Sequence, residues 1–217
     1  MKITRVLEKD AGTSEDYYSY TSEWFRRWAP FYNLIALPLS GIRDKVVVMA
    51  DAKKGAIILD VCTGTGSQAF AFGKRGCHVV GIDLSEDMLK VARRKNSYKK
   101  VRIEVADATK MPFEDGYFDV SCISFALHDM PHEVRHQILD EMRRVSKRVV
   151  VADYNIPKRK LGRWFHIHVI SIYESKYFKD FARRDLKELL QQHGLIVVKE
   201  AYGLIDIIKI LVCEVEL

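Results

Sequence analysis

Several patterns are missing from this sequence, and each absence narrows the class of protein. The chain has four cysteines among 217 residues, with no Cys-x-x-Cys spacing. This predicts neither a disulfide framework nor a cysteine metal site. No apolar run reaches the roughly 18 residues that a membrane span needs. There is no repeat, low-complexity tract or flexible linker. We therefore expect a single domain without a signal peptide or transmembrane segment, in a reducing cytoplasm.

The net charge of the chain excludes fewer classes of partner. The formal net charge is +6, from 35 basic and 29 acidic residues. Basic residues form short clusters such as Arg93–Lys95 and Lys158–Lys160, where helices are expected to end or turn outward. Solvated faces and helix C-termini account for most of them. Contact of these basic faces with anionic lipid or nucleic acid is left open as an alternative.

Strand and helix patterns alternate from Ala56 onward. Strands are predicted near 56–61, 78–82, 101–105, 118–124 and 147–153, and helices near 66–75, 86–96 and 132–145. Pro131 suits the first turn of the last of these helices. Such alternation is typical of an α/β fold with a Rossmann-like parallel sheet and helices on both faces.

The alternation stops after Tyr154. Arg184–His193 is predicted as a helix with Gly194 in the C′ position. Leu195–Ala201 and Ile205–Val215 follow as two strands around Tyr202–Leu204, which predicts an antiparallel C-terminal hairpin. The expected organisation is one domain over 1–217, in four parts: a helical N-terminal cover (1–52), a cofactor-binding core (55–154), a helical insertion (157–180), and a helix with the terminal hairpin (182–217).

The segment from Ile57 to Gly66 carries most of the functional information. An apolar strand runs into Asp60-Val61-Cys62-Thr63-Gly64-Thr65-Gly66, and a second strand, Val79–Ile82, ends at Asp83. The glycines allow a sharp turn and let a ligand approach the backbone. Asp83 stands where a carboxylate can hold the ribose hydroxyls of a nucleotide-like ligand. The pattern predicts a cofactor site.

Two cofactors compete for this pattern. Gly64-x-Gly66-x-x-Ala69 also fits the loose dinucleotide fingerprint, so an NAD-binding or non-catalytic Rossmann-like protein is one alternative. The Asp60 carboxylate would repel a pyrophosphate at the helix N-terminus. It would favour S-adenosylmethionine, which has no phosphate and carries a sulfonium and an ammonium group. The alternative role for Asp60 is to cap the turn.

The acid-x-x-x-Gly-x-Gly arrangement of Asp60 to Gly66 resembles the first motif of the class I S-adenosylmethionine-dependent methyltransferases. Val105–Ala108, Met111–Phe113 and Gly116–Val120 resemble further motifs, so the likeness spans roughly Ala56–Tyr154. It implies a seven-stranded, mostly parallel sheet, S-adenosylmethionine as cofactor, S-adenosylhomocysteine as product, and no metal. The implied donor site consists of Asp60, Cys62, Thr63, Gly64, Thr65, Gly66, Asp83, Leu84, Ser85, Met88, Asp107, Ala108, Ser124 and Phe125.

Within that resemblance, Asp107 would accept a hydrogen bond from the adenine amino group, and its alternative role is to cap a turn. His128 follows the fourth strand, and the carboxyl ends of strands line the crevice of open α/β sheets. We predict His128 as a general base. The alternatives are that it orients the substrate or caps the entry to the next helix. Asp129 is expected to stabilise that helix, and Asp119 is expected to be structural.

The acceptor is indicated less directly. Arg26–Asn33 resembles a segment of quinone-ring C-methyltransferases and bacterial phospholipid N-methyltransferases, with Asn33 where those proteins usually carry Asp. Tyr32 in this segment is a candidate lid over the donor, or else packs between two helices. Aromatic residues at 164–178 predict either an apolar pocket for a ring or lipid-like acceptor, or plain core. His166 and His168 would not share a helix face, so no metal site is predicted there.

The favoured function is therefore methylation of an apolar, ring-containing or lipid-like small molecule. Methylation of RNA or protein is the second hypothesis. The fourth strand lacks the Asn-Pro-Pro-Tyr type of tetrapeptide found in enzymes that methylate exocyclic amines of nucleic acids. No nucleic-acid partner is expected, and the sequence does not predict the oligomeric state.

Overall fold

The computed structural model describes residues 40–157, 164, 175–204 and 206–216. The strands are β1 (Ile57–Val61), β2 (His78–Asp83), β3 (Val101–Val105), β4 (Val120–Ser124), β5 (Arg148–Tyr154), β6 (Leu195–Gly203) and β7 (Ile208–Val215). The helices are α1 (Ser40–Ala50), α2 (Ser67–Lys74), α3 (Glu86–Lys95), α4 (His132–Val145), α5 (Phe178–Arg183) and α6 (Leu186–Gln192), with a 3-10 turn at Leu127–Asp129. The predictions for Tyr32, His166, His168 and most of the insertion lie outside the described residues.

The strands form one seven-stranded sheet in the order β3-β2-β1-β4-β5-β7-β6. The first five strands of that order pair in parallel, and β7 lies antiparallel between β5 and β6. The predicted fold class is confirmed, including the terminal hairpin. Strands β2 and β4 lie on opposite sides of β1, so the order of the strands reverses at β1. At such a point a crevice opens at the carboxyl ends of the strands.

The central strands are buried on both faces. Leu59 and Val61 of β1 belong to a hydrophobic cluster that includes α4, whereas Ile58 belongs to a second cluster with α1 and α2. Helices therefore cover both faces, and the apolar runs in the sequence reflect double burial rather than one-sided alternation. None of the described helices has the length and apolar composition of a membrane-spanning segment.

Two predicted boundaries are wrong in an informative way. The helix predicted over 184–193 is α6, and it begins two residues later than predicted, at Leu186, because the Asp185 carboxylate accepts a hydrogen bond from the backbone N–H of Lys187 at 2.8 Å and caps the helix start. Gly194 has φ +65, as its predicted C′ position requires. The predicted hairpin turn at 202–204 begins too early, since β6 continues to Gly203. A Cβ at Gly203 would lie 2.0 Å from the Ile42 side chain, so this glycine allows α1 to approach the strand.

Smaller differences concern the ends of other elements. β4 begins at Val120 rather than at residue 118, where Phe118 makes only an isolated bridge with Ser146. Helix α4 begins at His132, and Pro131 precedes it in an extended conformation instead of forming its first turn. For β1, α2, β2 and α3, each predicted end lies within one residue of the end seen in the structure.

Candidate cofactor site

A cavity of about 280 Å³ opens at the carboxyl ends of β1, β2, β3 and β4. The strand ends and the loops that follow them form most of its wall, and α1, α2, α3 and α4 supply the rest. All of the predicted donor-site residues except Gly66 line it, namely Asp60, Cys62, Thr63, Gly64, Thr65, Asp83, Leu84, Ser85, Met88, Asp107, Ala108, Ser124 and Phe125. Residues from four separate segments of the sequence thus meet in one place.

The glycine loop takes its shape from two left-handed residues. Gly64 has φ +53 and Gly66 has φ +81, a region that favours glycine. The Gly66 N–H donates to the carbonyl of Thr63 at 2.9 Å, which closes the turn into α2. A Cβ at Gly66 would lie 2.5 Å from the Phe70 ring. Gly66 therefore shapes the turn without forming part of the cavity wall.

Asp83 fastens the glycine loop to the end of β2. Its Oδ2 accepts from the Gly64 N–H at 2.8 Å, and its Oδ1 accepts from the Ser85 N–H at 2.9 Å. Burial raises the pKa of this carboxyl, while the backbone hydrogen bonds oppose that rise. Each carboxylate oxygen can accept a second hydrogen bond, so ligand hydroxyls can still be bound. The ribose contact stays a prediction.

Asp60 lies at the end of β1 and is 1% exposed. Burial raises its pKa to about 7, although hydrogen bonds from the Thr63 side chain and the Ala69 backbone act in the opposite direction. Thr63 Oγ1 donates to Asp60 Oδ2 at 2.5 Å, so this carboxyl caps the turn, which is the alternative role given above. Capping the turn is compatible with the predicted role of favouring a cationic ligand. A cation in the cavity would favour the charged carboxylate, whereas a diphosphate would be repelled by it.

Asp107 has the structural role that was given as the alternative to adenine binding. Its Oδ1 accepts from both the backbone N–H and the hydroxyl of Thr109, at 2.8 and 2.7 Å, so the carboxylate caps a turn beside the cavity. Apolar side chains of Met130, Val134 and Ile138 line the same cavity. A polar edge next to an apolar surface suits a flat heterocycle such as adenine. The adenine contact itself stays a prediction.

Two non-glycine residues adopt left-handed conformations at the mouth of the crevice. Cys62 follows β1 with φ +55, and Phe125 follows β4 with φ +56. Both line the cavity, and β1 and β4 are neighbours in the sheet. Backbone conformations that cost energy are concentrated at ligand sites. No residue pattern in the sequence indicated this feature.

The His128 side chain is placed away from the cavity lining. It is 6% exposed, and its Nδ1 lies 2.7 Å from Oδ1 of the buried Asp153. Its ring packs edge-on against Tyr154, Phe178 and Phe181. The predicted base would therefore act on an acceptor approaching from the α5 side. The sequence did not indicate Asp153, because it lies on β5 while its partner His128 lies in the loop after β4.

Other lining residues are not in the predicted donor set, although Ala126, Asp129 and Met130 belong to the end of the fourth strand, which was expected to line the crevice. These other lining residues are Arg43, Ser67, Gln68, Ile82, Ala106, Thr109, Ala126, Asp129, Met130, Val134 and Ile138. Ser67 and Gln68 directly follow the glycine motif and could have been included on position alone. Arg43 lies on α1, and no local pattern connects that helix with the motif.

The charge of the lining decides between cofactors. In the part of the chain that the structure describes, the lining carries four aspartates (Asp60, Asp83, Asp107 and Asp129) and one arginine, Arg43. A dinucleotide needs positive potential at its diphosphate, whereas a sulfonium and an ammonium are favoured by carboxylates. The residues fit S-adenosylmethionine. Across the same described ranges, no cluster of three or more His, Cys, Asp or Glu side chains is arranged to hold a metal ion.

Comparison with known proteins agrees with this assignment. Residues 58–148 match a methyltransferase domain. A demethylmenaquinone methyltransferase of Clavibacter sepedonicus is 40% identical over 113 residues, covering 50% of this chain and 45% of that protein. A ubiquinone/menaquinone biosynthesis C-methyltransferase of Burkholderia mallei is 33% identical over 178 residues, covering 70% and 72% respectively. The chain spans about half the length of the demethylmenaquinone methyltransferases that it matches.

Solved structures repeat the fold. A magnesium protoporphyrin IX methyltransferase from Synechocystis, determined with S-adenosylhomocysteine bound, superposes with a TM-score of 0.70 at 17% identity, covering 91% of this chain and 99% of that one. At this identity the likeness concerns the fold alone. Taken with the acidic cavity, the glycine motif and the sequence relatives, it leads to one conclusion: the chain belongs to the S-adenosylmethionine-dependent methyltransferase family.

Proposed function

We propose that this protein transfers a methyl group from S-adenosylmethionine to a ring carbon of a quinone-type acceptor. The acidic cavity at the end of β1 carries the donor half of this proposal, because its carboxylates favour a cationic adenosyl compound. The names of the sequence relatives support the acceptor half, since they describe quinone-biosynthesis C-methyltransferases.

The donor brings a methyl group already activated by a positively charged sulfur. The protein's part is then to hold and orient. Asp83 would hold the ribose through carboxylate positions fixed by Gly64 and Ser85. Asp107 would hold the adenine edge, and Asp60 would stabilise positive charge near the glycine loop. Van der Waals contacts with Met130 and Val134 would exclude water from the adenine ring.

The acceptor would approach from the side of α5. Tyr154, Phe178 and Phe181 surround His128 there, and aromatic surfaces suit a flat, apolar ring. A ring hydroxyl that loses its proton makes the neighbouring ring carbon more nucleophilic. In this proposal the acceptor is the reduced, hydroquinone form, and the His128 imidazole takes its hydroxyl proton, while Asp153 holds the imidazole through Nδ1 so that Nε2 carries the lone pair. The ring carbon then forms a bond to the methyl group as the bond from methyl to sulfur breaks, which releases S-adenosylhomocysteine. The proton on the methylated ring carbon passes to solvent and the ring oxygen takes up a proton, which restores the aromatic hydroquinone. The predicted lid role of Tyr32 belongs to the same proposal.

We also propose a cytoplasmic location for a single-domain protein. The four cysteines, Cys62, Cys77, Cys122 and Cys213, are free thiols, and burial raises the pKa of each of them. Buried free thiols persist in a reducing compartment. Contact of the basic faces with anionic lipid would bring the protein to an acceptor dissolved in a membrane.

The test is a methyl-transfer assay with radiolabelled S-adenosylmethionine and three acceptor classes: reduced demethylated naphthoquinones, phosphatidylethanolamine vesicles, and bulk RNA. We expect label on the naphthoquinol ring carbon. Label on the headgroup amine or on RNA would contradict the acceptor assignment while leaving the donor assignment intact. Absence of transfer to all three, with donor bound, would also count against a quinone-type acceptor.

A further inference from the structure

Helix α1 reaches the cavity through a contact with α2. The side-chain Nε2 of Gln68 donates to the backbone carbonyl of Arg43 at 3.3 Å. A carbonyl can pair only with the NH₂ side of an amide, so this contact fixes which way the Gln68 amide is turned. Both residues line the cavity beside the glycine loop.

The other end of that amide is unsatisfied. Gln68 is 5% exposed, and its Oε1 is buried without a hydrogen-bond partner within the described part of the chain. A buried acceptor left without a donor is costly, and native proteins contain few of them. Because Gln68 forms part of the cavity wall, the missing donor can come from a ligand. The ligand would have to present an N–H group at this position.

Arg43 adds the opposite requirement. It is the one cationic side chain among the described lining residues, in a wall otherwise charged by aspartates. A ligand carboxylate would be repelled by Asp60 and Asp83, so Arg43 is its favourable neighbour. S-adenosyl compounds end in an α-amino acid group, which has one ammonium and one carboxylate. The Gln68 Oε1 atom, which can only accept a hydrogen bond, matches the ammonium, and the Arg43 guanidinium matches the carboxylate.

We propose that α1 completes the donor site: Arg43 pairs with the carboxylate of the donor's methionyl group, and Gln68 Oε1 accepts a hydrogen bond from its ammonium. This inference rests on the donor assignment and is independent of the acceptor. It extends the site beyond the residues 58–148 that match the methyltransferase domain. It also gives the contact between α1 and α2 a role in binding as well as in packing.

Calorimetry with three related ligands and the full chain tests this proposal. S-adenosylhomocysteine has both charged groups, its decarboxylated analogue keeps only the ammonium, and 5′-methylthioadenosine has neither. The variants are Arg43→Met and Gln68→Leu. The matched controls are Arg75→Met and Gln192→Leu, which change exposed residues outside the cavity. Gln68→Glu is a second variant that keeps acceptor oxygens.

For Arg43→Met we expect S-adenosylhomocysteine to bind about 10- to 100-fold more weakly, while the decarboxylated analogue changes less than about twofold. Gln68→Leu should weaken both ammonium-bearing ligands by a similar factor, about tenfold, and Gln68→Glu should retain most of that binding. In every variant 5′-methylthioadenosine should bind as in wild type, which also reports an intact fold. The two control variants should match wild type for all three ligands.

Equal weakening of all three ligands by Arg43→Met or Gln68→Leu would overturn the proposal, since α1 would then only shape the pocket. Unchanged binding of S-adenosylhomocysteine would overturn it as well. Wild-type protein that binds none of the three ligands would contradict the donor assignment itself, and with it this proposal. These results are distinguishable from a wrong acceptor, which affects none of the measurements.

Discussion

At the scale of single residues, the Asp83 carboxylate holds two loops together and is also the predicted ligand of the donor's ribose. It holds the Gly64 and Ser85 N–H groups, which belong to the loops after β1 and β2. Any loss of this carboxylate therefore loosens the glycine loop as well as removing ligand contacts. The position of the acid in the sequence predicts the binding role, but the sequence gives no signal for the loop contacts.

We predict that Asp83→Asn weakens S-adenosylhomocysteine binding about 10- to 100-fold, because charged hydrogen bonds contribute about 1.5–3 kcal/mol. Asparagine keeps the shape but offers one NH₂ group where two backbone N–H groups need acceptors. Calorimetry measures the affinity, and Asp87→Asn is the matched control on the exposed face of α3. Unchanged affinity in Asp83→Asn would remove this residue from the donor site.

We expect Asp60 to make donor binding depend on pH. Its pKa of about 7 in the ligand-free protein means that the carboxyl is partly protonated near neutrality. A cationic donor prefers the charged form, so its affinity should rise as the pH increases from 6 to 8, by up to about tenfold per unit below the pKa. Asp60→Asn should remove this component.

Calorimetric titration of S-adenosylmethionine at several pH values measures the effect in both proteins. The ligand's own amino group titrates identically in the two experiments, so the difference between the curves belongs to Asp60. Parallel curves for wild type and Asp60→Asn would show that this carboxyl does not sense the donor's charge.

At the scale of elements, three histidines connect α4 with the end of α6. His136 Nε2 lies 3.1 Å from His132 Nδ1, and its Nδ1 lies 2.7 Å from His193 Nε2. His193 Nδ1 in turn lies 2.6 Å from Asp140 Oδ1. Burial lowers the pKa of His132 and His136, and the positive charge of Arg135 adds to this for both.

The free energy of unfolding should therefore fall as the pH drops below 6.5. The unfolded chain binds protons at the ordinary histidine pKa, whereas the folded protein resists them, so protons favour unfolding. Asp180, Glu133 and Asp140 oppose the effect, and Arg184 supports it at His132. Urea unfolding at pH 7.5 and 5.5 should give a smaller difference for His136→Asn than for wild type. The same difference in both proteins would contradict this account.

The His128–Asp153 pair joins the loop after β4 to β5. We expect His128→Ala to lower the free energy of unfolding by about 1–3 kcal/mol, because Asp153 stays buried after losing a hydrogen-bond partner. His78→Ala, at an exposed position, is the control. A base at His128 also predicts that turnover of a naphthoquinol falls while S-adenosylhomocysteine affinity is kept. If His128→Ala instead lowers the turnover, the affinity for S-adenosylhomocysteine and the free energy of unfolding together, His128 is a structural residue.

The elements that could be predicted from sequence are those with local signals. The glycines at 64 and 66 and the apolar runs around them located β1, α2 and β2 closely. The start of α6 was placed two residues too early, although Asp185 and Glu188 have the spacing of a helix N-cap. Arg43 and Asp153 were missed because only tertiary packing brings them to the site, whereas Gln68 directly follows the glycine motif and could have been included on its position.

At the scale of the whole molecule, the fold gathers negative charge at one place on a protein whose net charge is +6. Asp60 and Asp83 lie at the carboxyl ends of β1 and β2, and Asp107 and Asp129 follow β3 and β4, so all four reach the cavity through the parallel arrangement of the sheet. Fold and electrostatics are therefore linked: the order of the strands determines which carboxylates meet. This local reversal of sign is the basis for assigning a cationic donor.

The most direct test is calorimetric titration of the wild-type protein with S-adenosylmethionine and, separately, with NAD⁺ at the same pH and ionic strength. We predict micromolar binding of S-adenosylmethionine and no measurable heat of binding with NAD⁺. Micromolar binding of NAD⁺ without binding of S-adenosylmethionine would contradict the assignment of this cavity.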